Sequence, residues 1–193
     1  MNPDNRILIR DASAEDAPLI AWAVLSAIGH VEDSEEYRRL LPVVTEICSL
    51  GNTLYSWKRT RVATVDGTAV GCLVSYDGAL YDSLRPRTWA MFSSERGENL
   101  PQEVIQANGI ETRAGEYYLD SMAVKKAFRG YEIGKALLED GISIACSKGF
   151  GRATLIVEAD HPRLKDYYAS IGFHEEDHLM FFGEDYIRMA VTL

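Results

Sequence analysis

The segment from Gly115 to Leu138, GEYYLDSMAVKKAFRGYEIGKALL, constrains this chain more than any other. It opens on Tyr117-Tyr118-Leu119 and closes an apolar run at Met122-Ala123-Val124, a composition that favours a strand. A basic loop with Lys125, Lys126 and Arg129 follows, then Gly130 and Gly134. From Gly134 the spacing of Ala136, Leu137, Leu138, Gly141, Ile142, Ile144 and Ala145 predicts a helix packed on a sheet. Strand, glycine-containing loop, helix start is the order that makes an anion site. The amides of a first helical turn have no partner in the helix, and the helix dipole favours negative charge there. Glycine lets a ligand approach the backbone closely. The segment is neither a P-loop, since no Gly-Lys-Ser/Thr ends it, nor a dinucleotide fingerprint, whose first two glycines lie one residue apart. On these residues alone, an anion cradle and a basic surface loop both stand.

Composition bounds the rest. The 193 residues suit one domain with a sizeable core, and the apolar and charged fractions, 47% and 25%, are those of a globular protein. A net charge of −9 argues against nucleic acid as a main partner, and the basic cluster around Arg129 stands out against it. No apolar run has the length of a membrane span, and the N-terminus lacks the basic and apolar regions of a signal peptide. A cytoplasmic protein is expected. Cys48, Cys72 and Cys146 are scattered, without metal spacing, and read as reduced core residues.

In chain order, residues 6–10 alternate as a first strand. Ser13-Ala14-Glu15-Asp16 has capping-box form, and Pro18 with the stripe Leu19, Ile20, Ala23, Val24, Ala27 predicts a helix ending near Gly29. The acidic stretch 30–36 reads as solvent-facing, and 37–50 as a second helix through Pro42. Residues 57–65 and 68–76, joined by Asp66-Gly67, form a hairpin. Residues 77–115 make a long insert, with Leu80, Tyr81, Leu84, Trp89, Met91 and Phe92 as a helix or aromatic cover and 101–107 as a short helix. Residues 153–157 form a doubly covered strand, Asp160 or His161 caps a helix starting at Pro162, and strands at 173–178 and 186–191 close the chain through residues 180–183.

Two stretches resemble a known family. Leu119 to Val124 followed by Phe128-Arg129-Gly130-Tyr131-Glu132-Ile133-Gly134-Lys135 is similar to motif A of the GNAT-type acetyltransferases, whose loop reads Arg/Gln-x-x-Gly-x-Gly/Ala. Val157 to Pro162 with Tyr167-Tyr168-Ala169-Ser170-Ile171-Gly172-Phe173 resembles motif B, Asn-x-x-Ala-x-x-Leu-Tyr-x-x-x-Gly-Phe. The strand–helix opening at Ala14-Glu15-Asp16-Ala17-Pro18 also resembles the family's N-terminus. Together the motifs span about residues 116–173. Arg129 and Gly134 match, Glu132 stands at the first motif glycine, and His161 replaces the asparagine. A carboxylate beside a diphosphate is repelled, so the Glu132 side chain is expected to face solvent.

The resemblance implies one α/β domain over residues 1–193, with a mixed, largely antiparallel central sheet flanked by helices. It implies acetyl-coenzyme A as cofactor, held by Met122, Ala123 and Val124 of the strand, by Arg129, Gly130, Tyr131, Glu132, Ile133, Gly134 and Lys135 of the loop, and by His161. The reaction implied is direct acetyl transfer to a primary amine, borne by a small molecule or a protein. Such transfer needs a neutral amine, although an alkyl ammonium has a pKa of about 10.4, and a proton for the leaving thiolate. Tyr168 takes the role of proton donor by resemblance, against packing on the sheet as its bland reading. The base is Asp120, on one strand face with Tyr118 and Met122 by period-two counting, or Glu158 at the end of the next strand; for each, a structural or solvated role is the competing reading. His30, His174 and His178 show no partner spacing, and no metal constellation is found. The insert is the first candidate for acceptor specificity, or else a structural flap. Two other classes stay open: a non-catalytic acyl-coenzyme A binding or sensing module, kept by Glu132 and His161, and a plain interaction domain. The acceptor and the choice between monomer and homodimer are not legible.

Overall fold

In the structure, a computed structural model, residues 7–96 and 109–193 are described. The first strand, β1 (Ile7–Asp11), leads into Ser13, whose amide donates to Asp16 Oδ2 at 2.8 Å as the capping-box reading expects. The same carboxylate takes a two-pronged bond from Arg10 (2.7 and 2.8 Å), which holds its pKa below the ordinary aspartate value. Helices α1 (Ala17–Ala27) and α2 (Glu35–Ser49) follow, and α2 continues through Pro42 because Leu40, Val44 and Ile47 are fixed in the core on either side. The expected strand over 57–65 is shorter. Ser56 caps a 3₁₀ turn at Trp57–Arg59, and β2 covers Thr60–Val65. Asp66 and Gly67 both have positive φ, the geometry that an Asp-Gly hairpin supplies to join β2 to β3 (Thr68–Asp77). Within the insert, Tyr81–Arg96 is helix α3, and the short helix read at 101–107 lies outside the described residues.

Strand β4 (Tyr117–Val124), helix α4 (Ile133–Ser147), β5 (Arg152–Glu158), α5 (Pro162–Ser170), β6 (His174–Phe181) and β7 (Glu184–Thr192) complete the described elements. Met180 and Phe181 belong to β6, not to the join between the closing strands, and the turn is Phe182-Gly183, both at positive φ. The seven strands form one sheet in the order β1-β2-β3-β4-β5-β7-β6, antiparallel throughout except between β4 and β5. One core, built on α1, α2 and α3, includes Val62, Val74, Tyr76 and Tyr118; the other, built on α4 and α5, includes Leu73, Leu119, Leu137 and Leu155. The fold is the expected mixed, mostly antiparallel α/β sheet with helices on both faces. Cys48 and Cys72 are buried, but Cys146 lies on the exposed side of α4 and is not a core residue.

Two irregularities of β4 prepare the site. Ser75 of β3 pairs with Leu119 and Leu73 with Met122, so two residues of β4, Asp120 and Ser121, oppose the single residue Val74. This is a β-bulge. It breaks the period-two count: Tyr118 faces the first core, whereas Met122 packs against the second and does not share a face with Tyr118. The other irregularity is on the opposite edge. β4 and β5 pair only at Tyr117–Ala153 and Tyr118–Thr154, so the strands part beyond Tyr118.

Candidate functional site

The parting of β4 from β5 opens a cleft of about 420 Å³. Met122, Ala123 and Val124 form its strand wall, and Phe128, Arg129, Gly130, Glu132, Ile133 and Gly134 its loop and helix wall. Leu164 and Tyr167 of α5 and Ser26 of α1 close the remaining sides. The first intrahelical bond of α4 runs from Ala136 N–H to Glu132 C=O (2.9 Å), which leaves the amides of residues 133–135 without a partner in the helix. Arg129 is exposed and its Nε donates to Val124 C=O (3.0 Å), tying the loop back to the strand it leaves. Lys135 lies 3.8 Å from Glu132 and 3.9 Å from Glu139, and Tyr131 is 41% exposed.

Gly130 (φ 84°) and Glu132 (φ 59°) both adopt left-handed backbone. Glu132 caps α4 from this conformation without a side-chain bond, and its side chain is 76% exposed, facing solvent as the sequence led one to expect. The position of the missing glycine is one where glycine has no steric cost. A Cβ built on Gly134 would lie 2.9 Å from Tyr167 Oη, so this phenol sits directly over the first turn of α4. The residues fit coenzyme A: unpaired amides at a helix N-terminus suit a diphosphate, and the bared edge of β4 suits an extended arm with amide groups.

Among the described residues, Tyr168, Asp120, Glu158 and His161 are not in this wall. Tyr168 packs edge-on against Phe173 (6.1 Å between centroids), and burial pushes its phenol up to about 12. Tyr167 is the less enclosed of the two, and burial raises its pKa as well, so both phenols carry their proton at neutral pH. Glu158 Oε2 meets His161 Nδ1 at 2.7 Å, and the Asp160 carboxylate lies 3.1 Å from the same nitrogen. His161 is the residue at which α5 begins, but its ring is engaged by these carboxylates and does not cap the helix. Glu158, Asp160 and His161 bring ligand atoms within 4.8 Å of one another, a grouping that the sequence reading did not single out; two of the three are exposed. A second cavity, of about 610 Å³, collects the carboxylates of Glu158, Asp160, Glu184 and Asp185.

Asp120 belongs to a polar cluster inside the first core. Its Oδ2 accepts from Tyr76 Oη (2.5 Å) and its Oδ1 from Ser121 Oγ (2.7 Å). Burial raises its pKa, against the lowering effect of those two bonds. The sequence reading passed over Glu111, which lies in the insert away from both motifs. It is 7% exposed and accepts from Tyr81 Oη (2.8 Å) and Tyr118 Oη (2.9 Å). Its pKa is raised, first by burial and then by the charge of Asp120. Its signal in the sequence is faint: a lone glutamate six residues before a strand.

The family profile described as Acetyltransferase (GNAT) family matches residues 33–173. A crystal structure described only as that of an acetyltransferase is 27% identical and superposes with a TM-score of 0.74, with 96% of this chain and 98% of that one covered. An N-acetyltransferase from Staphylococcus aureus Mu50 is 21% identical, with a TM-score of 0.70 over 95% of this chain and 100% of that one. The PaiA N-acetyltransferase from Thermoplasma acidophilum, solved in complex with coenzyme A, is 17% identical with a TM-score of 0.57, over 97% and 99% of the two chains. No curated protein matches. With the profile spanning α2 through Phe173 and the sheet parted at β4 and β5, this chain belongs to the GNAT family of acetyltransferases.

Proposed function

We propose that this protein is an N-acetyltransferase that uses acetyl-coenzyme A to acetylate a primary amine. The observation that carries the reading is the cleft between β4 and β5, walled by Met122–Val124 and floored by the unpartnered amides of α4. When bound, the cofactor supplies the acetyl thioester and a sulfur leaving group. Amides from Gly130 to Lys135 would hold its diphosphate, with Arg129 and Lys135 adding positive charge and Glu132 turned to solvent. The N–H and C=O groups of Met122 to Val124 on the parted edge would hold the arm and donate to the developing oxyanion. His161, engaged by two carboxylates, contributes little to this cradle in our reading.

An amine arrives as its ammonium at neutral pH, and a carboxylate must take the proton. Asp120 is assigned that role, because enclosure has raised its proton affinity while it is not fully buried. Glu158, already paired to His161, is the second candidate. Four carboxylates around the cavity at the end of β5 favour a cationic acceptor. For the proton returned to sulfur, the resemblance selects Tyr168, while the cleft geometry favours Tyr167. The two are separated by substitution. Tyr167→Phe is expected to lower kcat by about a hundredfold with little change in coenzyme A affinity, and Tyr168→Phe to cost mainly stability. The opposite pattern returns the role to Tyr168.

The test of the whole reading is thermal stabilisation by coenzyme A combined with thioester loss across a panel of amines. Stabilisation without turnover favours the non-catalytic binding module; no stabilisation removes both readings.

A further inference from the structure

A third cavity, of about 420 Å³, lies at the end of the sheet away from the cleft between β4 and β5. Tyr117, on its wall, opens β4, whereas Met122 to Val124 of the cleft close it. Ser147 and Lys148 stand at the end of α4, whereas Ile133 and Gly134 begin it. The two cavities share no lining residue, and the 15 residues of α4 separate them by about 20 Å.

The walls of this cavity carry four cations, Lys58, Arg59, Arg61 and Lys148. In a chain of 29 acidic and 20 basic side chains, an acid partner is easy to find. Arg61 has two: its Nε donates to Asp140 Oδ2 (2.7 Å), and its Nη1 meets Asp11. Among the described residues, no carboxylate forms an ion pair with the other three. Arg59 Nη1 donates to the main-chain carbonyls of Gly51 and Thr53 (3.3 and 2.9 Å). Lys58 Nζ lies 5.6 Å from the ring centroid of Trp57, and Lys148 Nζ 5.3 Å from that of Tyr117. The carboxylates on the wall do not offset them. Asp11 is taken by Arg61, and Asp77 Oδ1 accepts from the Ala79 amide (2.9 Å) as the cap of a 3₁₀ turn. The last carbonyls of α4 disfavour an anion, and Lys148 at the helix end counters them. The hydroxyls of Ser75 and Tyr117 share one hydrogen bond (3.1 Å), which uses one of their two protons and leaves the other to donate.

We propose that this cavity binds a small polyanion, with two or more negative charges on phosphoryl or carboxylate groups, held by Lys58, Arg59 and Lys148. The guanidinium offers a planar fork, and the two ammonium groups add point charges from the facing walls. The volume falls within the range of small-molecule sites, about 300–1,000 Å³. The net charge of −9 repels a long polyanion such as nucleic acid, so the ligand is one small enough to be enclosed. The site stands apart from acetyl transfer and does not rest on it.

Inorganic pyrophosphate and citrate, titrated at low ionic strength, are the probes, with amide shifts in ¹H–¹⁵N NMR as the readout. Saturable shifts are expected at residues 58–61, 75–77 and 147–148, with a Kd below about 1 mM that rises as sodium chloride is added. Lys58→Gln and Lys148→Gln, both at exposed positions, should fold normally and each weaken binding about fivefold or more. Pyrophosphate also suits the free amides of α4, so Arg129→Gln serves as the control and should leave the shifts at 58–61 in place. The tighter of the two probes assigns the phosphoryl or the carboxylate class. Shifts confined to residues 129–135, affinity indifferent to both lysine substitutions, or no saturation by about 10 mM of either probe overturns the inference, whether or not the protein acetylates amines.

Discussion

Glu132 carries a conformational cost beside the proposed coenzyme A cleft. Its φ of 59° and ψ of 8° belong to the left-handed region, where a side chain loses about 1 kcal/mol relative to glycine. Its carboxylate also stands beside the proposed diphosphate cradle, offset by Lys135 at 3.8 Å. Glu132→Gly removes both penalties. Coenzyme A affinity measured by calorimetry should rise about three- to tenfold, and more at low salt than at high salt, since screening already weakens an exposed charge. An affinity that stays the same would mean that the diphosphate lies away from this turn. Gly134 makes the converse case. A methyl group there would meet the Tyr167 hydroxyl, the mobile end of a side chain, so Gly134→Ala should fold normally while displacing the phenol from the cleft. Stability unchanged or slightly raised, with slower acetyl transfer, is the expected pair of readings. A transfer rate equal to that of the wild type would detach Tyr167 from the chemistry.

At the scale of elements, the cleft depends on how β3 and β4 fit together. Gly71 sits opposite Val124, and a Cβ on it would come within 2.7 Å of the Ala123 carbonyl oxygen, a backbone atom that cannot rotate aside. Gly71→Ala is therefore expected to push β4 outward, costing about 1–3 kcal/mol in urea unfolding and weakening coenzyme A binding along with it. Loss of stability with intact binding would show that the strain is absorbed on the β2 side. The element order around this cleft was legible because local chemistry dictates it. Asp66-Gly67 supplies the two positive φ angles of a tight hairpin, and the switch from strand to helix spacing at Gly134 marks the start of α4. The bulge at Asp120-Ser121 was not legible. Nothing in Leu119-Asp120-Ser121-Met122 departs from strand composition, and the extra residue is defined only by its partner strand. The parting of β4 from β5 is hidden for the same reason: it is a relation between segments more than thirty residues apart in the chain. Glu111 is the sharpest case, because its partners Tyr81 and Tyr118 come from two separate stretches of sequence, one thirty residues before it.

The described residues form a sheet with two cores, and the one under α1, α2 and α3 carries two buried carboxyls. The face under α4 and α5 is apolar around Leu137, Leu138 and Met189, whereas the face under α1, α2 and α3 encloses Glu111 and Asp120. That asymmetry sets the pH dependence of stability. Both carboxyls have pKa values raised by burial, to about 7 for Glu111 and about 6 for Asp120. A raised acid binds its proton more tightly in the folded state. Its stabilising contribution is complete below the unfolded value and is lost as pH rises to the folded one. Asp16 acts in the other direction: Arg10 lowers its pKa, so its contribution is present above the ordinary aspartate value and lost only in stronger acid. Between these windows, stability should peak near about pH 4 and fall by about 1–3 kcal/mol toward about pH 7.5, a range set by the free energy per unit of pKa shift. Urea unfolding at a series of pH values measures the slope directly. In Glu111→Gln the decline should flatten, because that variant has one acid fewer to ionise in the core. A wild-type curve that stays level or climbs from pH 5 to pH 7.5 would mean that water or a cation reaches the pair in solution.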